Sequence, residues 1–426
     1  MSLWAWLKQT LFGQPPERDI SLLRAGRQKD DLDITTEIID VSGGPLKPGH
    51  RRRALRDRRL LPKAKSPIRG PFGAKVRNLL FPDHQARRLF SPSERTGNRN
   101  LRDLDTDEEQ LTRLGLPAWK TENELADALG LSLRELWFFG TYRQRERFPH
   151  YVTFAIPKRG GGERLIMAPK RRLKAIQRKL LHLLISRLPV ADPAHAFRTG
   201  RSIRSGAEPH VGHRIVIRMD LTDFFPTVTW ERVRGLFIAY GYSFPVAATL
   251  ALLMTEAERQ PVEVNGQLFH VPAGRRHCVQ GAPTSPGICN AIVHKLDNRM
   301  LGVARKFNCV YTRYADDLTF SGDISRGEVG ALLGLARKVV MEEGFAVNDE
   351  KTRIQGKAGR QCVTGVIVNE TLGLSRQERR QLRAAIHHIT SARNREPDHR
   401  ARVEGKLAYL AMLNQSQANA LRKLLG

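Results

Sequence analysis

The spacing of apolar positions changes several times along this chain, and each change marks an element. Residues 122–129 and 132–139 carry apolar side chains at helical intervals, with Ser132 placed as an N-cap. Tyr151-Val152-Thr153-Phe154-Ala155-Ile156-Pro157 alternates as a strand does. Lys158-Arg159-Gly160-Gly161-Gly162-Glu163-Arg164 then makes a glycine turn, and Leu165-Ile166 continues as the partner strand. Residues 172–188 predict a basic amphipathic helix with Leu173, Ile176, Leu180, Leu181 and Leu184 on one side. Beyond it, 215–219 reads as a short apolar strand ending at Asp220, 310–320 as strand, turn, strand, 330–344 as a helix and 362–368 as another strand. The last fifty or so residues are helical in pattern and open on the capping box Ser375-Arg376-Gln377-Glu378. Together these elements predict an α+β chain with a central antiparallel sheet and a helical C-terminal unit.

Charge adds a partner to that picture. The 426 residues carry 71 Lys and Arg against 43 Asp and Glu, a net charge of +28. Such a surplus favours a polyanion, because each neutralised phosphate releases condensed counterions; nucleic acid fits better than an acidic membrane. The surplus is concentrated: residues 51–100 hold 15 basic and 3 acidic side chains, whereas 1–50 hold 6 and 7. Arg51-Arg52-Arg53, Arg56, Arg58 and Arg59 precede Pro62, Pro67 and Pro71, which predicts a basic, partly disordered arm that orders on RNA. Ahead of it, Trp4, Trp6, Leu7 and Leu11 suggest a short amphipathic helix docking on the protein itself, without a signal-peptide layout. Cys278, Cys289, Cys309 and Cys362 form no Cys-x-x-Cys pair and read as reduced core thiols. No apolar run approaches the ~20 residues that span a bilayer, so the expectation is a cytoplasmic protein with no membrane partner.

The chemistry centres on carboxylates. In Tyr311-Thr312-Arg313-Tyr314-Ala315-Asp316-Asp317-Leu318-Thr319-Phe320, two adjacent aspartates lie between β-rich halves, at the tip of a hairpin. Neighbouring anions repel, and hard Mg²⁺, which takes oxygen ligands, is the natural partner. Asp220, in Asp220-Leu221-Thr222-Asp223-Phe224-Phe225, follows an apolar strand, where a charge needs a specific reason. Two strands delivering Asp220 and Asp316/Asp317 to one point make a two-metal site, with ions ~3.5–4 Å apart.

Several blocks in order, from about residue 125 to 420, resemble reverse transcriptases. Tyr314-Ala315-Asp316-Asp317 is similar to their catalytic hairpin. Asp220 with Phe224-Phe225 resembles the first metal-binding block, Gln280-Gly281-Ala282-Pro283-Thr284-Ser285-Pro286 the block touching template and nucleotide, and Asn348-Asp349-Glu350-Lys351-Thr352 the lysine-bearing block. The resemblance implies a right-hand polymerase fold of fingers, palm and thumb, divided as extension 1–104, fingers and palm 105–370, and thumb 371–426. It implies catalytic Asp220, Asp316 and Asp317; two Mg²⁺ ions, or Mn²⁺ as substitute, held by these with Leu221; and deoxynucleotide substrates. Phe225, five residues past Asp220, projects near the incoming sugar and would exclude a 2′-hydroxyl. Lys158, Arg164, Gln280, Gly281 and Lys351 belong to nucleotide binding, with Gly281 letting backbone approach a base pair and Lys351 a general acid for pyrophosphate. Ser285, Pro286, Val363, Thr364, Gly365, Arg376, Arg380 and Arg383 belong to template or RNA binding.

Within that family, Val363-Thr364-Gly365 resembles the triplet of retron reverse transcriptases, placed where the thumb begins. A second retron feature, Asn-Ala-x-x-His, corresponds to Gly206-Ala207-Glu208-Pro209-His210: alanine and histidine are kept and the asparagine is not. Asn290-Ala291-Ile292-Val293-His294 fits the same pattern but lies after the Gln280 block and reads as coincidence. A retron enzyme implies a cognate structured noncoding RNA, a branched RNA–DNA product begun at the 2′-hydroxyl of an internal guanosine, an effector protein and a role in phage defence. The alternatives are another stand-alone bacterial reverse transcriptase, of abortive-infection or group II intron-derived type, and a non-catalytic RNA-binding protein with the polymerase fold. The intact aspartate trio argues against the last.

Overall fold

The computed structural model describes residues 105–425, apart from 142, 159–160 and 392–396. The amphipathic start and the basic arm lie outside the described residues. The chain begins with helices α1 Glu108–Arg113, α2 Glu122–Leu129 and α3 Leu133–Gly140. Thr121 caps α2 by accepting from the Glu124 amide, and Ser132 and Glu135 close a reciprocal capping box on α3. An antiparallel hairpin follows, β1 Tyr151–Pro157 with β2 Glu163–Pro169, in register from Tyr151 opposite Pro169 to Pro157 opposite Glu163. Helix α4, Arg171–Leu183, buries Leu173, Ile176, Gln177 and Leu180, and ends a turn earlier than its apolar pattern suggests. Gln177 belongs on the buried face because its amide donates to Tyr151 Oη at 2.7 Å and to Leu253 O at 2.8 Å.

The middle of the chain runs α5 Ile203–Ala207, β3 Ile215–Leu221, α6 Phe224–Thr227, α7 Trp230–Tyr240, α8 Phe244–Met254, β4 Arg259–Val264 and β5 Gln267–Pro272. It continues with α9 Ser285–Ile292, α10 His294–Lys306, β6 Val310–Tyr314, β7 Asp317–Gly322, α11 Arg326–Glu342 and β8 Val347–Gly356. The end is β9 Cys362–Val363, β10 Val366–Ile367, α12 Arg376–Ser391, α13 Pro397–Leu413 and α14 Gln415–Arg422. The four-stranded sheet has the order β6-β7-β3-β8, all pairs antiparallel. Central β3 buries Val216, Ile217, Met219 and Leu221, so both its faces are covered, while edge strand β8 is mostly exposed and charged.

Three expectations shift. Asp220 lies inside β3, one residue short of its end, because pairing continues through Leu221. Helix α11 starts at Arg326, where Ser325 and Glu328 form a capping box ahead of the apolar run. The expected single strand over 362–368 is instead a tight hairpin, with Val363 opposite Val366 and both turn residues at positive φ, Thr364 at 47° and Gly365 at 87°. The four cysteines are free thiols, and among the described residues no helix is long and apolar enough to cross a membrane.

Two apolar cores result. The larger joins α1–α4, α7–α11 and the sheet; the second gathers Leu382, Ile386, Val403, Leu407, Leu410, Leu413, Ala418 and Leu421 of the terminal helices. That second core also takes in Val363 and Val366 of the small hairpin, Ala207 of α5 and Val216 of β3.

His210 is fully buried and clasps the two strands of the aspartate hairpin, with Nδ1 at 2.7 Å from Ser321 Oγ and Nε2 at 2.7 Å from Thr312 Oγ1. Thr312 gives its one hydroxyl proton to Gly206 O, so Nε2 must donate to it and Nδ1 must accept from Ser321. Burial depresses the His210 pKa to about 3, and the neighbouring His213 and His195 push the same way. A depressed histidine means the unfolded chain takes up protons first, so stability is full above pH ~6.5 and falls as pH drops toward 3. We expect the unfolding midpoint to drop between pH 7 and pH 5, and the drop to shrink in His210→Gln; an unchanged slope would remove His210 as its source.

Candidate active site

The pairing of β3 with β7 sets Asp220 directly opposite Asp317. Asp316 sits in the two-residue turn between β6 and β7, after Ala315 at φ 58°, and its carbonyl accepts from the Leu221 amide at 2.9 Å. Three carboxylates from two strands and one turn thus meet at one end of the sheet. Burial pushes the Asp316 carboxyl above the usual range, and the Asp220 charge pushes it further. Burial also raises Asp317, against the opposing pull of Arg218. Such a cluster calls for cations.

Two protein cations answer in part. Arg218 forks onto Asp317, with Nε donating to Oδ1 at 3.3 Å and Nη2 to Oδ2. Lys351 donates from Nζ to Asp220 Oδ2 at 2.9 Å. Lys351 reaches it because the β3–β8 register breaks: Arg218 faces Arg353 and Asp220 faces Asn348, so one β3 residue stands opposite four of β8. The bulge carries Lys351 to the carboxylate end of the sheet. Among the described residues no three His, Cys, Asp or Glu side chains are gathered tightly enough to hold an ion as they stand. The donor set still suits hard divalent cations, being all oxygen, anionic and mutually repelling.

The turn itself is held from behind. Arg313 is 0% exposed and donates from Nε and Nη2 to Asp297 at 2.8 Å each, a bidentate pair sealed in the core. Its Nη1 donates to Asn290 Oδ1 at 3.0 Å and to Ala315 O at 2.9 Å. Ala315 is the positive-φ residue next to Asp316, so the buried guanidinium fixes the strained corner of the aspartate turn. Neither Arg313 nor Asp297 was singled out from sequence; an arginine two residues before a buried turn is the only signal. Asn290 is tied into the same buried network, whatever its pattern of neighbours.

The other expected residues distribute unevenly. Phe225 follows Asp223 in short α6, half-buried and edge-on to Phe224, itself packed toward Phe345. Gln280 is half-buried, and its carbonyl accepts from the Met167 amide of β2 at 2.8 Å. Gly281 sits at φ 121°, where a Cβ would lie 2.7 Å from Met167 O. In this structure its missing side chain serves an approach to the fingers strand within the protein. Gly281→Ala is expected to cost about 1–3 kcal/mol, read as a lowered unfolding midpoint; a neutral change would show that β2 shifts aside freely. Ser285, expected at the template, is wholly buried and has no surface to offer it, whereas Pro286 is half-buried. Lys158 and Arg164 are exposed on the β1–β2 hairpin, with Arg164 opposite Ile156. Val363 belongs to the second core, Thr364 is half-buried and Gly365 exposed. Arg376, Arg380 and Arg383 are exposed along α12, opposite buried Leu382 and Ile386.

Gly206, where an asparagine was expected, has a physical account. A Cβ there would come within 3.2 Å of the His195 side chain, which binds Ser205 Oγ at 2.9 Å through Nδ1.

A four-stranded antiparallel palm, with paired carboxylates at one end and a lysine reaching them from the edge strand, defines a template-directed nucleotide polymerase. Residues 156–368 match the model of the family described as reverse transcriptase (RNA-dependent DNA polymerase). The chain is 55% identical to the retron Mx65 reverse transcriptase of Myxococcus xanthus, over 97% of this chain and 95% of that one. It is 42% identical to the retron Mx162 reverse transcriptase of the same organism, over 75% and 69% of the two chains. To the retron Ec86 reverse transcriptase of Escherichia coli it is 30% identical, over 73% and 90%. The chain belongs to the retron reverse transcriptases, and it is an RNA-directed DNA polymerase.

Proposed function

We propose that this enzyme copies its own structured noncoding RNA, beginning at the 2′-hydroxyl of an internal guanosine and leaving a branched RNA–DNA product. The observation that carries the reading is the Val363-Thr364-Gly365 hairpin, where a β-branched threonine is held at φ 47° between palm and terminal helices. A threonine occupies that region only under constraint, and constraint of this kind collects where a partner is recognised. Exposed Arg376, Arg380 and Arg383 on α12 add a phosphate-binding face suited to folded RNA.

At the catalytic end, Asp220, Asp316 and Asp317 would hold the metal ions, with the Leu221 backbone beside them. Bound divalent cations would supply a more acidic attacking hydroxyl and charge neutralisation at the triphosphate. Lys351, already positioned on Asp220, places a proton donor and positive charge beside the leaving pyrophosphate. Lys158 and Arg164 offer cations for the triphosphate from the fingers hairpin. The ring of Phe225, just past the metal-binding strand, selects deoxyribose by occupying the space of a 2′-hydroxyl. A role in phage defence with an effector protein is supported by the family alone.

The test is to express the full chain with the noncoding region that accompanies its gene and sequence the nucleic acid that copurifies. The expected product is a DNA strand joined by a 2′–5′ bond to a guanosine of one RNA species. Unbranched DNA from a polymerase that is otherwise active would overturn the proposal.

A further inference from the structure

Next to the catalytic turn lies an aromatic residue for which the mechanism above has no use. Phe197 is 55% exposed, and its backbone is held at φ 56°. A single exposed apolar side chain is ordinary on a protein surface. A phenylalanine at positive φ is not, because a bulky Cβ crowds the backbone there and glycine would relieve it.

The surrounding structure fixes this conformation from several sides. Ala194 pairs in parallel with Arg313 on the open edge of β6, through Arg313 N to Pro193 O at 2.7 Å and His195 N to Arg313 O at 2.9 Å. The Asn290 amide donates to Ala196 O at 2.9 Å, and its Oδ1 accepts from Arg313, which in turn holds Ala315 O. The carbonyl preceding Phe197 and the carbonyl preceding Asp316 are therefore anchored by two side chains bonded to each other. Because the pairing is parallel, the chain runs from Ala194 toward Phe197 in the same direction that β6 runs toward the aspartates. Arg198 and Arg201 follow Phe197 in the chain; both approach Asp192 at 3.6 Å, and Arg198 also donates to Ala191 O at 3.2 Å. Two arginines share one carboxylate, so this edge stays cationic.

An exposed ring beside cations at the edge of a polymerase site has the chemistry of a stacking platform for a nucleic-acid base. We propose that Phe197 is a nucleic-acid contact: it stacks on a base or sugar of the primer–template strand that passes the β6 edge of the catalytic turn, with Arg198 and Arg201 toward its phosphates. The contact rests on the polymerase reading of the site and not on branched priming.

Primer extension on an annealed RNA template and DNA primer tests it in the full-length enzyme. Phe197→Ala is expected to raise the KM for primer–template about tenfold, with kcat and the KM for dNTP unchanged. Phe197→Trp should bind as the parent does. Phe197→Gly should raise the unfolding midpoint, by removing the strain, and yet lose primer–template affinity as alanine does. That combination separates a contact from a structural role. An unchanged primer–template KM in the alanine and glycine variants would overturn the proposal, as would a tryptophan variant as impaired as alanine or a loss confined to kcat. An enzyme that extends this annealed primer but makes no branched product would sink the proposed function and leave this contact standing.

Discussion

Asp316→Asn is expected to leave primer–template binding near the parental level and to lower the extension rate by on the order of 10³-fold or more, comparable to removing a preorganised group at a reacting centre. The cause is specific to this site. Asp316 is half-buried beside Asp220 and next to Asp317, so its negative charge is costly in the folded protein unless a cation meets it. Removing that charge should leave the unfolding midpoint unchanged or higher, which excludes misfolding as the reason for lost activity. Asp317→Asn should abolish extension equally, but its midpoint should fall, because Arg218 then loses the carboxylate on which it forks. Steady-state extension with Mg²⁺, filter binding of primer–template and thermal unfolding read all three quantities. Substantial residual synthesis in either variant would end the assignment of these aspartates as the metal-bearing pair.

The second large effect belongs to Arg313. Arg313→Met leaves Asp297 charged and without its bidentate partner at 0% exposure, and Asp297→Leu does the same to Arg313. Each single change is expected to cost about 3–5 kcal/mol of stability. The double change Arg313→Met/Asp297→Leu replaces the pair with apolar groups of similar volume and should regain most of that loss. Activity should not return with it, because Ala315 O still lacks the donor that fixes the turn before Asp316. Chemical denaturation of the two single variants and the double, with kcat measured on each, checks the prediction. A double variant recovering both stability and kcat would show the pair to be packing alone.

What the sequence revealed and what it hid follow from how local each feature is. Helix α2 and strand β1 fall within the expected bounds, because capping by Thr121 and the β-rich run from Tyr151 are local signals. The aspartates were legible as acid runs beside apolar strands, although their meeting depends on the Asp220–Asp317 register, which no local pattern encodes. The hairpin of β4 and β5 was passed over, although Asn265 and Gly266, both at positive φ, are the turn pair that announces one. Its strands are largely exposed, so the alternation that flags a half-buried strand is weak. Ser285 misled for the opposite reason: its neighbours suggested a template contact, yet the start of α9 is folded into the core. The Arg313 network could not be read at all, since Asn290, Asp297 and Ala315 converge only through tertiary packing.

The second apolar core reaches beyond the terminal helices to Val216, four residues before Asp220 on the same strand. Force applied to those helices is borne by the strand that carries Asp220. The terminal helices and the aspartate strand thus share one beam, and a loosened C-terminal unit would be felt first as misalignment at Asp220.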